Sequence, residues 1–159
     1  MVADTHIRSG STRRLPDAAR AELARADLIL HAGDIVSGEV LDDLRTLAPV
    51  SAVLGNNDVD LAGVLPEQVV LDLEGVRLAM VHDSGPRTGR EGRLRRRFPD
   101  ADLVVFGHSH IPWDAAGLDG QWLLNPGSPT DKRRQPHRTL ATVDLADGRV
   151  RRTEVVVLD

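Results

Sequence analysis

Short apolar runs punctuate this chain, and each ends in a polar cluster. Met1-Val2-Ala3 runs into Asp4-Thr5-His6, Leu28-Ile29-Leu30 into His31-Ala32-Gly33-Asp34, and the segment from Val50 to Leu54 into Gly55-Asn56-Asn57-Asp58. Further on, Val76 to Val81 leads into His82, and Leu103 to Phe106 into Gly107-His108-Ser109-His110. Apolar runs of this length, bounded by turn residues, read as buried strands.

The intervening segments set the architecture. Pro16 can open a helix at its first position, and Asp17 to Ala26 is Ala-rich and helical. Val40, Leu41, Leu44 and Leu47 recur at helical spacing from Gly38 onward, and Pro49 stops that helix. With strands at Met1 to Asp4, Asp27 to His31 and Val50 to Leu54, the first third reads β-α-β-α-β. After Asp58 the texture becomes antiparallel. Glu74-Gly75 joins Gln68–Leu73 to Val76–Val81, Asp119-Gly120 joins Trp113–Ala116 to Gln121–Leu124, and Asp147-Gly148 joins Leu140–Asp144 to Arg149–Val157. A basic helix from Gly89 to Phe98 and a strand from Ala101 to Phe106 lie between the first two hairpins. The prediction is an α/β (α+β) fold, a four-layer α-β-β-α sandwich in which two mixed β-sheets pack face to face with helices outside.

Composition narrows this picture. The 159 residues suit a single domain, 1–159, with 41% apolar and 28% charged residues. Aromatics are only 3%, so Val, Leu, Ile and Ala must build the core. A net charge of −4 gives no global case for nucleic acid or an anionic membrane. Cysteine is absent, which excludes thiolate metal sites and agrees with a cytoplasmic location. No apolar run approaches the roughly 20 residues of a membrane span, and no signal peptide is visible. The low aromatic content and the hairpin carrying Trp113 and Trp122 hint at a homo-oligomer, although both residues fit a core or interface role.

The strand-end residues change the picture most. Asp4 and His6 are two residues apart and face one way if strand geometry persists. Asp34 is an anionic oxygen donor able to bridge two cations, Asn56 offers a carbonyl oxygen, and His82, His108 and His110 offer imidazole nitrogen. Such a mixed O/N set suits Mn, Fe, Co, Ni or Zn better than Ca or bare Mg. With Asp34 shared, the residues divide into two sets of four. Two ions about 3.5–4 Å apart are a known arrangement for hydrolysing phosphate esters.

The order Asp-x-His, Gly-Asp, Gly-Asn-x-Asp, His, Gly-His-x-His resembles the calcineurin-like metallophosphoesterases, in particular the short bacterial and archaeal phosphodiesterase branch. The resemblance runs from Asp4 to about Ser128 and includes Asn125-Pro126-Gly127-Ser128. It implies a β-sandwich flanked by helices. It also implies two divalent ions, manganese foremost, with a hydroxide bridging them for attack on phosphorus. One ion would take Asp4, His6, Asp34 and His110, and the other Asp34, Asn56, His82 and His108. Larger members carry His where this chain has Asn57, and Asn has no proton to give near neutral pH. Asp34 and Asn57 are therefore the candidate catalytic residues, Asn57 as a phosphate contact and not as a general acid. A phosphomonoesterase or nuclease on the same site is the alternative activity. A non-catalytic protein-interaction module is the alternative of another class.

Other polar residues take blander readings. Asp58 is expected to orient a neighbour and Asp83 to be solvated. His31 is expected to pack behind the site, and His137 to lie on the surface. The arginines from Arg90 to Arg97 read as a solvated helix face without aromatic stacking partners for nucleic acid. Lys132, Arg133 and Arg134 read as a surface loop within reach of a phosphate.

Overall fold

A computed structural model describes residues 1–159. Helix α1 spans Asp17–Leu23, strand β1 Ile29–His31, α2 Gly38–Arg45 and β2 Val50–Ala52, followed by a 3-10 turn at Val59–Leu61. Strands β3 (Gln68–Leu73) and β4 (Val76–Val81) precede α3 (Arg90–Arg97). Then come β5 (Leu103–Val105), β6 (Trp113–Ala116), β7 (Trp122–Asn125), β8 (Thr139–Ala146) and β9 (Arg149–Val157).

The second sheet has the order β3-β4-β5-β7-β6, with β5 parallel to both its neighbours and antiparallel pairs at the two edges. The first sheet is assembled around the chain's start. β1 pairs in parallel with β2, and β8 with β9 antiparallel. Residues 1–3 bridge the two pairs. Val2 N–H donates to Leu30 O and Ala32 N–H to Val2 O, each at 2.9 Å, while Ala141 N–H donates to Met1 O at 3.0 Å. The strand expected over Met1 to Asp4 is thus only a bridge at Val2, because the backbone turns to positive φ at Asp4 (54°); beyond it, Asp4 N–H still donates to Gly33 O at 2.9 Å and His6 N–H to Asp34 O at 3.0 Å, but without strand geometry.

Alternation along the strands explains why they look apolar throughout. Leu78 and Met80 of β4, Leu103 and Val105 of β5, and Leu124 of β7 meet Ala3, Leu30 and Ala32 between the sheets. Their neighbours Ala79, Val81, Val104, Phe106 and Leu123 face the other way, onto Leu94 of α3 and Phe98 at its C-terminal end. Ile29 and Val2 pack outward against α1 and α2 through Leu23, Val40, Leu41 and Leu44. Three apolar layers therefore separate four layers of structure, and period-2 burial on both faces gives each strand a nearly unbroken hydrophobic run.

The three short turns behave as their residues dictate. Glu74-Gly75, Asp119-Gly120 and Asp147-Gly148 all have positive φ at both positions, the requirement of a two-residue type I′ hairpin. The expectation of a solvated α3 face holds only in part. Arg90 is 7% exposed, with its guanidinium 4.9 Å from the Phe106 ring centroid and 5.1 Å from that of Trp113. Arg93 donates to Ser84 O at 2.8 Å and also to Pro86 O. These two side chains are drawn in because the loop after β4 presents carbonyls with no strand partner. No helix is long and apolar enough to cross a membrane.

Candidate metal centre

The chain leaves its strands abruptly at the positions singled out by sequence. Asp4, His6, Asp34, His108 and His110 all have φ between 45° and 69°, in the left-handed region. Each such non-glycine residue costs about 1–3 kcal/mol. The turn swings the side chain out of the pleat, so residues from separate strands converge at one rim. Gly55 is required where it stands, since a Cβ there would lie 2.1 Å from Asp34 N and 2.3 Å from Asp34 Oδ1.

Seven expected ligands meet at that rim. Asp34 Oδ2 is 3.5 Å from His6 Nε2 and 3.5 Å from His82 Nε2. On the first side, His6 Nε2 faces His110 Nε2 at 3.1 Å across stacked rings, and His110 Nε2 lies 3.5 Å from Asp4 Oδ1. On the second side, Asn56 Oδ1 is 3.1 Å from His82 Nε2 and 2.9 Å from His108 Nδ1. Asp34 thus stands between His6 on one side and His82 on the other.

The chemistry of this donor set fits divalent cations. A backbone carbonyl can only accept, so His110 must donate Nδ1–H to Asp131 O (2.5 Å) and His82 its Nδ1–H to Ala32 O (2.7 Å). The Nε2 lone pair of each ring is then aimed inward, at carboxylate, amide oxygen or another imidazole. Asp4 Oδ2 is buried with no hydrogen-bond partner at all. Acceptors crowded against acceptors are stable only with a cation among them, either a proton or a metal ion. The groups Asp4, His6, His110 and Asp4, Asp34, His82 each bring their ligand atoms within 4.8 Å of one another.

Without a metal, protons share this role. Burial pushes the Asp4 carboxyl up to about 7. Burial also raises Asp34, but His82 and the Asn57 amides outweigh it and hold Asp34 below the usual carboxylate range. Burial lowers His82, but the adjacent Asp34 carboxylate and the Ala32 carbonyl carry it above its ordinary value. Burial depresses His6 and His110, favouring the neutral imidazoles, each with one nitrogen lone pair free.

The supporting residues are partly as expected. Asp58 accepts from Asp34 N at 2.9 Å, Val36 N at 2.7 Å and Gly55 N at 2.7 Å, which ties the two loops carrying Asp34 and Asn56. His31 is fully buried and bonded to Thr5 Oγ1 at 3.1 Å, and Asp83 only closes its own turn onto Gly85 N. His137 is a surface residue near Asp159. Asn57, expected to contact a phosphate, holds Asp34. Its side chain donates to Asp34 Oδ2 at 2.6 Å, and its backbone N–H to Asp34 Oδ1 at 2.8 Å. The close approach of its loop at Gly55 places that amide beside the carboxylate. Sequence reasoning missed the Asp131 carbonyl that orients His110, because a backbone oxygen carries no residue signature. Ser128 closes the same region, donating to Asp4 O at 2.8 Å and accepting from Asp131 N at 2.9 Å.

A family model described as the calcineurin-like phosphoesterase superfamily domain matches residues 1–148. The chain belongs to that superfamily. A probable metallophosphoesterase of Methanothermobacter thermautotrophicus is 36% identical over 135 residues, covering 84% of this chain and 77% of the relative. One from Methanocaldococcus jannaschii is 36% identical over 138 residues, covering 84% and 68%. Among solved structures, Vps29 of Entamoeba histolytica complexed with zinc superposes with a TM-score of 0.75 over 99% of this chain and 97% of that one, at 24% identity. That likeness is one of fold. Membership makes this chain a metallophosphoesterase relative whose strand-end residues are candidate metal ligands.

Proposed function

We propose that residues 1–159 form one phosphoesterase domain that hydrolyses phosphate esters, phosphodiesters foremost, in the cytoplasm. The observation that carries this reading is the position of Asp34 Oδ2, equidistant at 3.5 Å from His6 Nε2 and His82 Nε2. Asp4, His6, Asp34 and His110 would hold one divalent ion, and Asp34, Asn56, His82 and His108 the other, with manganese the first choice and Fe, Zn, Ni or Co the alternatives. Bound there, the pair supplies the Lewis acidity that ionises a water near neutral pH and offsets charge building on the phosphoryl oxygens.

The chain's own residues do the positioning. Asp131 O and Ala32 O hold the Nδ1–H of His110 and His82, so that the inward Nε2 of each ring is the nitrogen left for a metal. Asp58 clamps the Asp34 and Asn56 loops together, and Asn57 orients the Asp34 carboxylate. No side chain at the position of Asn57 can protonate a leaving alkoxide. The leaving group then takes its proton from solvent, and esters of acidic alcohols or phenols are favoured.

The test combines metal analysis with a panel of phosphodiesters, phosphomonoesters and oligonucleotides, using wild type and Asp34→Ala. Wild type should bind two ions and turn over diesters, whereas Asp34→Ala should lose one ion and most turnover. A fully active Asp34→Ala variant with two bound ions overturns the assignment. Preferential cleavage of monoesters or oligonucleotides moves the activity to a phosphatase or nuclease. No turnover of any class with Mn²⁺ moves it to a non-catalytic interaction module.

A further inference from the structure

We infer that the natural substrate carries a second phosphate, seated in a cavity beside the proposed metal centre; this rests on the phosphoesterase reading above. The cavity measures about 460 Å³ and is lined in part by His6 of the ligand cluster and by Asn57, which holds Asp34. A phosphate ester placed at the cluster therefore extends part of itself into this space. Its remaining wall is built from Arg8, Ser11, Arg13, Asp131 and Arg133, with Val36 the one apolar residue.

Charge decides what the space accepts. Three arginines face one aspartate in a chain whose net charge is −4, so the positive excess here runs against the rest of the molecule. Arg13 is committed to Asp131, at 3.4 Å. The Asp131 carboxylate is also engaged by its own loop, accepting from Arg133 N at 3.3 Å. Arg8 and Arg133 enter no ion pair. Two free guanidinium groups on one cavity wall match the charge of about −2 and the forked acceptor geometry of a phosphate. A wall with one apolar residue gives little grip to an uncharged hydrocarbon or bare aromatic group. Arg133 lies in the segment that sequence reading assigned to a surface loop, and Arg8 in the loop after His6. Only the approach of these loops pairs them.

The experiment uses two substrates that differ at one remote position. Thymidine 5′-(p-nitrophenyl phosphate) is compared with the same compound bearing a 3′-phosphate, both with Mn²⁺-loaded protein. The 3′-phosphate should lower KM about tenfold, the scale of charge-assisted pairing at a partly exposed site. In the Arg8→Met/Arg133→Met double variant the ratio of the two KM values should fall to about one, and because it is a ratio it is insensitive to overall changes in turnover. Equal KM values in wild type, or a preference that survives in the double variant, overturn the inference. A second readout needs no catalysis. Calorimetric binding of thymidine 3′,5′-bisphosphate to metal-free protein should be tighter than that of thymidine 5′-monophosphate, and the gain should vanish in the double variant. If that gain is present while neither ester is hydrolysed, the phosphate cavity stands and the phosphoesterase reading fails. If both esters are hydrolysed with equal KM, the reverse holds.

Discussion

Asn57 grips Asp34 at both carboxylate oxygens, by its backbone N–H to Oδ1 at 2.8 Å and its side-chain amide to Oδ2 at 2.6 Å. The residue that departs from the pattern of larger relatives is thereby tied to the group that stands between the two donor sets. Removing the side chain frees Oδ2 to rotate. Asn57→Ala should weaken the second metal-binding step about tenfold, the low end for loss of a residue that orients a ligand. Titration calorimetry reads this directly, and wild-type affinity for both ions would refute it.

Asn57 also lacks a transferable proton, so the rate should depend on the leaving group. A series of phosphodiesters with phenol and alcohol leaving groups should show kcat/KM falling steeply as leaving-group pKa rises. Asn57→His, which restores an imidazole at this position, should flatten that slope by recovering the alkyl esters. A flat wild-type series with chemistry shown to be limiting would contradict the account.

Metal affinity should rise with pH through neutrality. Burial holds the metal-free Asp4 carboxyl up to about 7, and His82 lies above its ordinary value, so an incoming cation must displace both protons. Binding of Mn²⁺ should weaken at least about tenfold from pH 8 to pH 6. The same shift has the opposite sign for stability of the metal-free fold. Between 3.8 and about 7 the native state holds a proton on Asp4 that the unfolded chain has released, so this group's contribution to stability falls as pH rises through that window. Thermal melts of metal-free Asp4→Asn and wild type, compared across pH 4 to 8, isolate it: their difference should grow toward pH 8 in favour of the variant.

Asp58 is buried and holds three backbone N–H groups. Asp58→Ala leaves those donors unsatisfied at about 1–3 kcal/mol each. The variant should melt about 10 °C or more below wild type, at about 2–4 °C per kcal/mol for a chain of this size. Both metals should bind more weakly as the Asp34 and Asn56 loops separate. An unchanged melting temperature would show the clamp to be dispensable.

Much of the site was legible because its signals are local. The type I′ turns follow from Glu-Gly and Asp-Gly pairs alone, and the clusters at the ends of the apolar runs mark where strands stop and side chains gather. Strand lengths were less legible. Met1 to Asp4 shrank to a bridge and Ala101 to Phe106 to Leu103–Val105, since a strand lasts only as long as its neighbours supply partners.

By itself, then, the sequence determined the family, the layered fold and which side chains are candidate metal ligands, since these depend on residue type and order. The tertiary structure alone decided what each group touches. His6 and His110 are 104 positions apart, yet their nitrogens lie 3.1 Å from each other. Arg8 and Arg133 come to one cavity, Arg90 is buried beneath aromatic rings, and His110 is oriented by a carbonyl. Such contacts depend on sheet order and loop approach, and the Asp131 carbonyl is a backbone atom of a kind every residue shares.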